Sequence, residues 1–247
     1  MQKTIKWCFL FLLFFTLGQT VMQKSDWSEQ KNILQKVLPK ETQSQWYQIE
    51  GSCSRVYYQT EKEIAQMIQR QADTYYAMIA KDFDWKRTEK IDFILFETKQ
   101  MFMSSFFYEG EIPMGVYYKG VIGIVSPNLW DMQKQVWQKT DYFLERGPVV
   151  HEMVHFAVEE KTKGNCPRFL TEGIALYYEK KYTGFLWYIA EEEKQKQITK
   201  AKLEKEFEQI DVSLSYWKSY EWVAKFVECY GEETLQKALQ QKGEKER

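Results

Sequence analysis

A chain of 247 residues is long enough to bury a core, as one domain or as two small subdomains. A 44% hydrophobic and 28% charged composition excludes a disordered chain, and 17% aromatics can supply large buried areas. A net charge of −1 without a basic stripe gives no electrostatic case for nucleic acid. The mixed-sign runs at 191–205 and 242–247 read as solvated helix faces and a charged tail.

Residues 1–22 differ from the rest. Lys3 and Lys6 form a short positive region, and an apolar run follows from Trp7 to Leu17, broken at Gly18. This is the pattern of a secretory signal peptide. An N-terminal anchor, stretched to Met22 and attaching the chain to a membrane through residues 7–22, is the alternative. Either way the working domain is expected outside the cytoplasm, secreted or membrane-anchored. Residues 23–44 read as a spacer. Beyond the leader stand Cys53, Cys166 and Cys229. One disulfide with a free thiol, or three buried thiols, would both fit.

From residue 45 the chain reads as one packed unit to 242, followed by the tail at 243–247. Strand-like stretches at 46–49 and 55–58 are split by Gly51. Thr60 to Glu63 has the spacing of a capping box, with Thr60 as N-cap. The helix it predicts carries an apolar stripe through Ile64, Met67, Ile68, Ala72, Tyr75, Tyr76, Met78 and Ile79. Residues 91–96 predict a strand, and 97–112 a loop rich in Met and Phe. Residues 114–126 predict a hairpin turning at Lys119-Gly120. Gly123, mid-strand, suggests close approach of another backbone. Asn128 to Arg146 reads as a helix leading into the next segment. There is no internal repeat and no low-complexity tract.

The chemistry is concentrated in that next segment, Gly147-Pro148-Val149-Val150-His151-Glu152-Met153-Val154-His155-Phe156. Pro148 suits the first turn of a helix, where a missing N–H is harmless. On that helix His151 and His155, four apart, share one face and can offer two imidazole nitrogens to one ion. Glu152 stands where its carboxylate can reach a water at the metal. The chain has only two histidines, both here. Their spacing with the intervening Glu is a coincidence on the order of one in a thousand. A zinc hydrolase needs a third protein ligand and an open position. After a loop, Pro167 opens a second helix in which Glu172 is the best candidate. Gly173 beside it would let that helix approach the first one closely. Glu159 and Glu160, on the motif helix itself, are worse placed. Glu179, further along, could orient a ligand histidine. A third ligand in the H-E-x-x-H-x-x-G-x-x-H pattern is excluded, because Val158 and Lys161 stand where the Gly and last His belong.

His151-Glu152-x-x-His155 together with Glu172-Gly173-x-Ala175-x-Tyr177 resembles the gluzincin (peptidase MA-like) zinc metallopeptidases. Pro167-x-Phe169-Leu170 is similar to the lead-in of their third-ligand helix. The likeness extends weakly over residues 45–240. It implies a zincin-like α+β fold: a small N-terminal mixed sheet with helices, a mainly helical C-terminal part, and the active-site helix between them. It implies Zn2+ held by His151, His155 and Glu172, with Glu152 as general base acting through a zinc-activated water on a peptide or protein substrate. It implies an oxyanion-stabilising tyrosine on a C-terminal helix, Tyr216 with Tyr220 as runner-up. It also implies an extended substrate laid along a strand, here Gly123, Ile124 and Val125. The alternative is a gluzincin-like domain that binds zinc or a protein with little or no turnover. The apolar-then-charged stretch 183–214 has no assigned place, and oligomeric state is not legible.

Overall fold

A computed structural model describes residues 37–38, 45–106, 112–130, 136–187 and 189–244. The leader and nearly all of the spacer therefore lie outside the described residues. Val37, within that spacer, is buried in the core.

The fold is α+β, with a five-stranded mixed sheet of order β1-β2-β3-β5-β4. β1 (Tyr47–Glu50) and β2 (Ser54–Tyr58) form an antiparallel pair. Helix α1 (Lys62–Phe83) then leads to β3 (Ile91–Phe96), which runs parallel to β2. Helix α2 (Lys99–Phe106) precedes the hairpin of β4 (Gly115–Tyr118) and β5 (Val121–Val125). β5 lies parallel to β3, so β4 takes the outer edge. The turn at Lys119-Gly120 is as expected: both residues adopt positive φ, 46° and 88°, as a two-residue turn matching strand twist requires.

Three local expectations are corrected. Residues 97–112 are not wholly a loop, because α2 occupies 99–106 and buries Met101, Phe102 and Phe106. Thr60 is not an N-cap. Its hydroxyl and N–H bind the carboxylate of Glu97, which also accepts from the N–H groups of Gln59 and Glu61. One carboxylate from the end of β3 thus replaces the local box, and α1 starts after Glu61 without a side-chain cap. Asn128 to Arg146 is not one helix: a 3₁₀ turn (Pro127–Leu129) ends at an extended Trp130, and α3 spans Val136–Arg146. In α1, Met78 of the apolar stripe is exposed.

Helix α4 (Val149–Thr162) carries the histidines. Ten of its fourteen residues are buried, from Val149 through Thr162. A helix apolar on all sides must be enclosed. It packs against α1, β4 and β5 on the sheet side, and against α5 (Arg168–Thr183) and α9 (Glu232–Glu244) on the other. The histidine helix therefore sits between the sheet region and the helical region. The segment left unplaced by sequence contains α6 (Glu191–Lys194), α7 (Lys200–Glu206) and a 3₁₀ turn (Phe207–Gln209), then α8 (Val212–Tyr230). Helix α9 reaches Glu244, with Gly243 closed down on the Lys161 carbonyl, so packing continues past 242. Cys53, Cys166 and Cys229 are free thiols. Among the described residues no helix is long and apolar enough to cross a membrane.

Candidate metal centre

Backbone geometry assembles the site from two helices. Pro148 is the N-cap of α4, and its carbonyl accepts from Glu152 N–H at 2.9 Å. This starts the helix three residues before His151. Helix α4 ends at Lys163, whose φ of 52° reverses the chain, and Pro167 caps α5. The return brings Glu172, in the second turn of α5, opposite both histidines.

His151 Nε2 and His155 Nε2 lie 3.0 Å apart. Glu172 Oε2 lies 3.4 Å from the first and 3.3 Å from the second. Zinc bonds of 2.0–2.1 Å in tetrahedral geometry require ligand atoms about 3.3–3.4 Å apart. The triangle therefore has nearly the edges of one face of that tetrahedron. The polar atoms around it are arranged to match. His151 Nδ1 is 3.2 Å from Glu179 Oε2, and His155 Nδ1 is 2.9 Å from Thr171 Oγ1. With each Nδ1–H donating outward, both Nε2 atoms present lone pairs inward. Glu172 Oε2 is buried without a hydrogen-bond partner. Two lone pairs and an unsatisfied carboxylate oxygen converging in a buried place call for a cation between them. The donor set of two imidazoles and one carboxylate suits zinc.

Burial pulls the His151 pKa down, but Glu172 and Glu179 outweigh it and hold it well above the usual imidazole value. Burial pushes Glu172 up, and His155 and His151 outweigh this to hold it well below the usual carboxylate range. A metal entering here must displace protons.

Glu152 is buried and faces the same space. Burial raises its pKa above the usual carboxylate value, while His155 and His151 pull against the rise. The backbone N–H of Tyr117 in β4 also pulls it down. Edge strand and general-base candidate are in contact: a β-carbon added at Gly115 would stand 3.0 Å from Glu152 Cγ and 2.8 Å from Pro148 Cβ. Between them runs a cleft of about 340 Å³, walled by β4 on one side and by His151, His155, Glu172 and Tyr216 on the other.

The two candidate tyrosines sit differently. Tyr216 lines the cleft, is 4% exposed, and hydrogen-bonds Glu172 and Arg168. Tyr220 is turned away, its hydroxyl accepting from Lys180 Nζ at 2.7 Å. Burial, with Glu172 beside it, raises the Tyr216 pKa well above the usual phenol value, so it stays a donor. Glu159 and Glu160 are engaged elsewhere, with Tyr117 and with Trp85 and Arg87.

The expected substrate strand is corrected. Gly123, Ile124 and Val125 are buried in β5, whose two edges are both occupied, by β3 and by β4. No extended chain can add there. Gly123 makes room for a ring, not a backbone: an added β-carbon would meet Phe96 Cε2 at 2.7 Å. The free edge belongs to β4. Val125 N–H donates to the Met114 carbonyl at 2.9 Å, so Gly115 and Tyr117 turn their N–H and C=O groups outward. Gly173 is corrected as well, for its close neighbour is α8, not α4. Thr171 and Arg168 escaped the sequence reading. A Thr adjoining the candidate Glu, on the face shared with His155, was the available signal for the first. The stretch 183–214 contributes Phe185 and Trp187, which line a small second cavity behind His151, and Trp187 packs edge-on against Tyr216.

Comparison with protein-family profiles, curated proteins and solved structures yields no match.

Proposed function

We propose that this chain is a zinc-dependent peptidase with gluzincin-type ligation. The observation carrying the reading is the triangle of His151 Nε2, His155 Nε2 and Glu172 Oε2, at tetrahedral edge lengths around an orphaned carboxylate oxygen. Zinc held there would lower the pKa of water and polarise a scissile carbonyl.

The chain's own groups divide the remaining work. Glu152 takes the proton of the attacking water and returns it to the leaving amine, a role suited to a carboxylate whose pKa burial has raised. Tyr216 turns its one hydroxyl proton from Glu172 to the oxyanion as that charge forms. Gly115, through its N–H and C=O, and Tyr117, through its C=O, offer the outward backbone groups of β4 to an extended peptide, in place of the β5 residues. Glu179 and Thr171 hold the two imidazoles in register. Retention of a buried Glu152 separates this reading from a purely structural zinc site, which needs ligands but no base. The leader pattern at 1–22 supports action outside the cytoplasm.

The test is zinc content and hydrolysis of a broad peptide library, measured on the parent and on Glu152→Gln. About one zinc per chain is expected in both, with hydrolysis only in the parent. A parent without zinc defeats the metal centre. Zinc without hydrolysis leaves the non-catalytic zinc-binding domain as the reading. Sequencing the N-terminus of the exported protein decides between a cleaved leader and an anchor.

A further inference from the structure

Arg168 is a half-buried cation in the cleft with a position no ligand role explains. It lies one turn before Glu172 on α5, with Nε 3.7 Å from Glu172 Oε1. Its Nη1 pairs with Glu208 Oε1, in the 3₁₀ turn just ahead of α8. The guanidinium lies over the Phe207 ring, 5.3 Å from its centroid, and hydrogen-bonds Tyr216. Phe207 in turn packs against the Tyr216 ring, at 5.7 Å between centroids. One planar fork therefore touches the third metal ligand, the oxyanion donor and a carboxylate that touches neither.

The geometry points to Arg168 as a positioning residue for the metal centre. Held by Glu208, it keeps Glu172 turned so that Oε2 faces the histidines, and it fixes the Tyr216 hydroxyl alongside. The inference rests on the zinc reading and extends it to residues outside the ligand set. Glu172 has two oxygens and a rotatable end. Oε2 is assigned to the metal side when Oε1 is held from the other side, where Arg168 Nε stands 3.7 Å from Oε1 and the Tyr216 hydroxyl also bonds the carboxylate. A guanidinium suits the task because its fork is rigid and always charged. With Glu172 and Glu208 both on it, Arg168 has its charge already matched. It is therefore not a receptor for a substrate carboxylate.

The test is zinc affinity, by chelator competition on purified protein, for the parent, Arg168→Met, Arg168→Lys, Glu208→Gln and the Arg168→Met/Glu208→Gln double variant. Melting of each metal-free protein is read alongside. Loss of a residue that orients a ligand weakens metal binding by about 10–100-fold. That loss is expected for Arg168→Met, with a smaller loss in the same direction for Glu208→Gln and partial recovery in Arg168→Lys. The double variant should bind no more weakly than Arg168→Met, because Glu208 acts only through the arginine. Unchanged or tighter zinc binding in Arg168→Met overturns the proposal. So does a Glu208→Gln loss that persists when Arg168 is already gone. If Arg168→Met does not fold, Arg168→Lys and Glu208→Gln carry the same decision. A parent that binds no zinc fails the metal reading itself, a result distinct from either.

Discussion

Gly173 of α5 lies directly against Ser219 of α8: a β-carbon added at Gly173 would stand 2.3 Å from the Ser219 carbonyl oxygen. Glu172 precedes the first residue and Tyr216 lies one turn before the second. The contact between these two helices therefore sets how near Glu172, the proposed third ligand, comes to Tyr216, the proposed oxyanion donor.

Gly173→Ala should separate them. The atom met is backbone, so the helices must move apart. Overpacking of this kind costs about 1–3 kcal/mol, which is a melting-temperature fall of roughly 2–6 °C for a chain of this size. Zinc content should survive, since all three ligands lie on α4 and α5, while peptide hydrolysis drops. Calorimetry with metal analysis checks both; an unchanged melting temperature would show that the close approach carries no packing strain.

Glu172→Ala should empty the metal site about as completely as His151→Ala, taking zinc from about one per chain to near zero after dialysis. The reason is the triangle of ligand atoms, whose edges are similar on all three sides. Retention of zinc by Glu172→Ala would remove the carboxylate from the ligand set and the gluzincin resemblance with it.

Gly115→Ala tests the wall opposite. The added methyl meets the Pro148 ring and Glu152 Cγ, so the edge strand or Glu152, the proposed general base, must shift. Hydrolysis should fall by about 10-fold or more, because misplacing a reacting group by a fraction of an ångström is that damaging. Zinc binding should be unaltered. Steady-state kinetics on a cleaved peptide, with zinc content as control, decides it.

How much of this was legible depended on whether a feature was local. His151, Glu152 and His155 share one helix turn, and Glu172 sits early in the next helix, so spacing alone brought them together. The edge strand was not local. Sheet order is set by which strand pairs with β3, and the hairpin 115–125 fits the sequence with either arm inside. The signal was there in burial pattern: Val121-Ile122-Gly123-Ile124-Val125 is apolar without alternation, as an interior parallel strand requires, whereas Gly115-Val116-Tyr117-Tyr118 is not. The capping box failed because Glu97, far along the chain, takes both the Thr60 N–H that Glu63 would have bound and the Thr60 hydroxyl. Gly173 was assigned to the wrong neighbour because two helices flank α5 and sequence does not rank them.

Asp73 should make stability depend on pH. Its carboxylate accepts from Ser52 N–H, Cys53 N–H and the Ser54 hydroxyl, tying the β1–β2 turn to α1. Burial pushes its pKa up, but these hydrogen bonds, led by that of the Cys53 thiol, outweigh it and depress the folded-state value. A depressed folded pKa stabilises above the unfolded value of about 3.9 and loses that stabilisation as pH falls toward the folded one. Asp73→Asn should therefore be less stable than the parent by about 1–3 kcal/mol at neutral pH. The gap should narrow below about pH 4. Urea melts of both proteins at pH 7 and pH 3 measure it; a gap that is the same at both would place the stabilisation in something other than the ionised carboxylate.

The two histidines are supported unequally, and that inequality predicts an order of effects. Glu179 accepts from His151 Nδ1 with a buried carboxylate, and Thr171 meets His155 Nδ1 with a neutral hydroxyl. A carboxylate partner both fixes the tautomer and raises the ring's basicity toward a metal, whereas a hydroxyl does chiefly the first. Glu179→Gln keeps a hydrogen-bond acceptor but removes the charge, and should weaken zinc binding by about 10–100-fold. Thr171→Val removes the hydroxyl at nearly constant shape, leaving His155 with a donor pointed at a methyl group. Its effect on affinity should be smaller, on the order of 10-fold or less. Chelator competition on both variants at one pH gives the ratio directly. A Thr171→Val loss exceeding that of Glu179→Gln would mean that ring orientation, not ligand basicity, governs this centre.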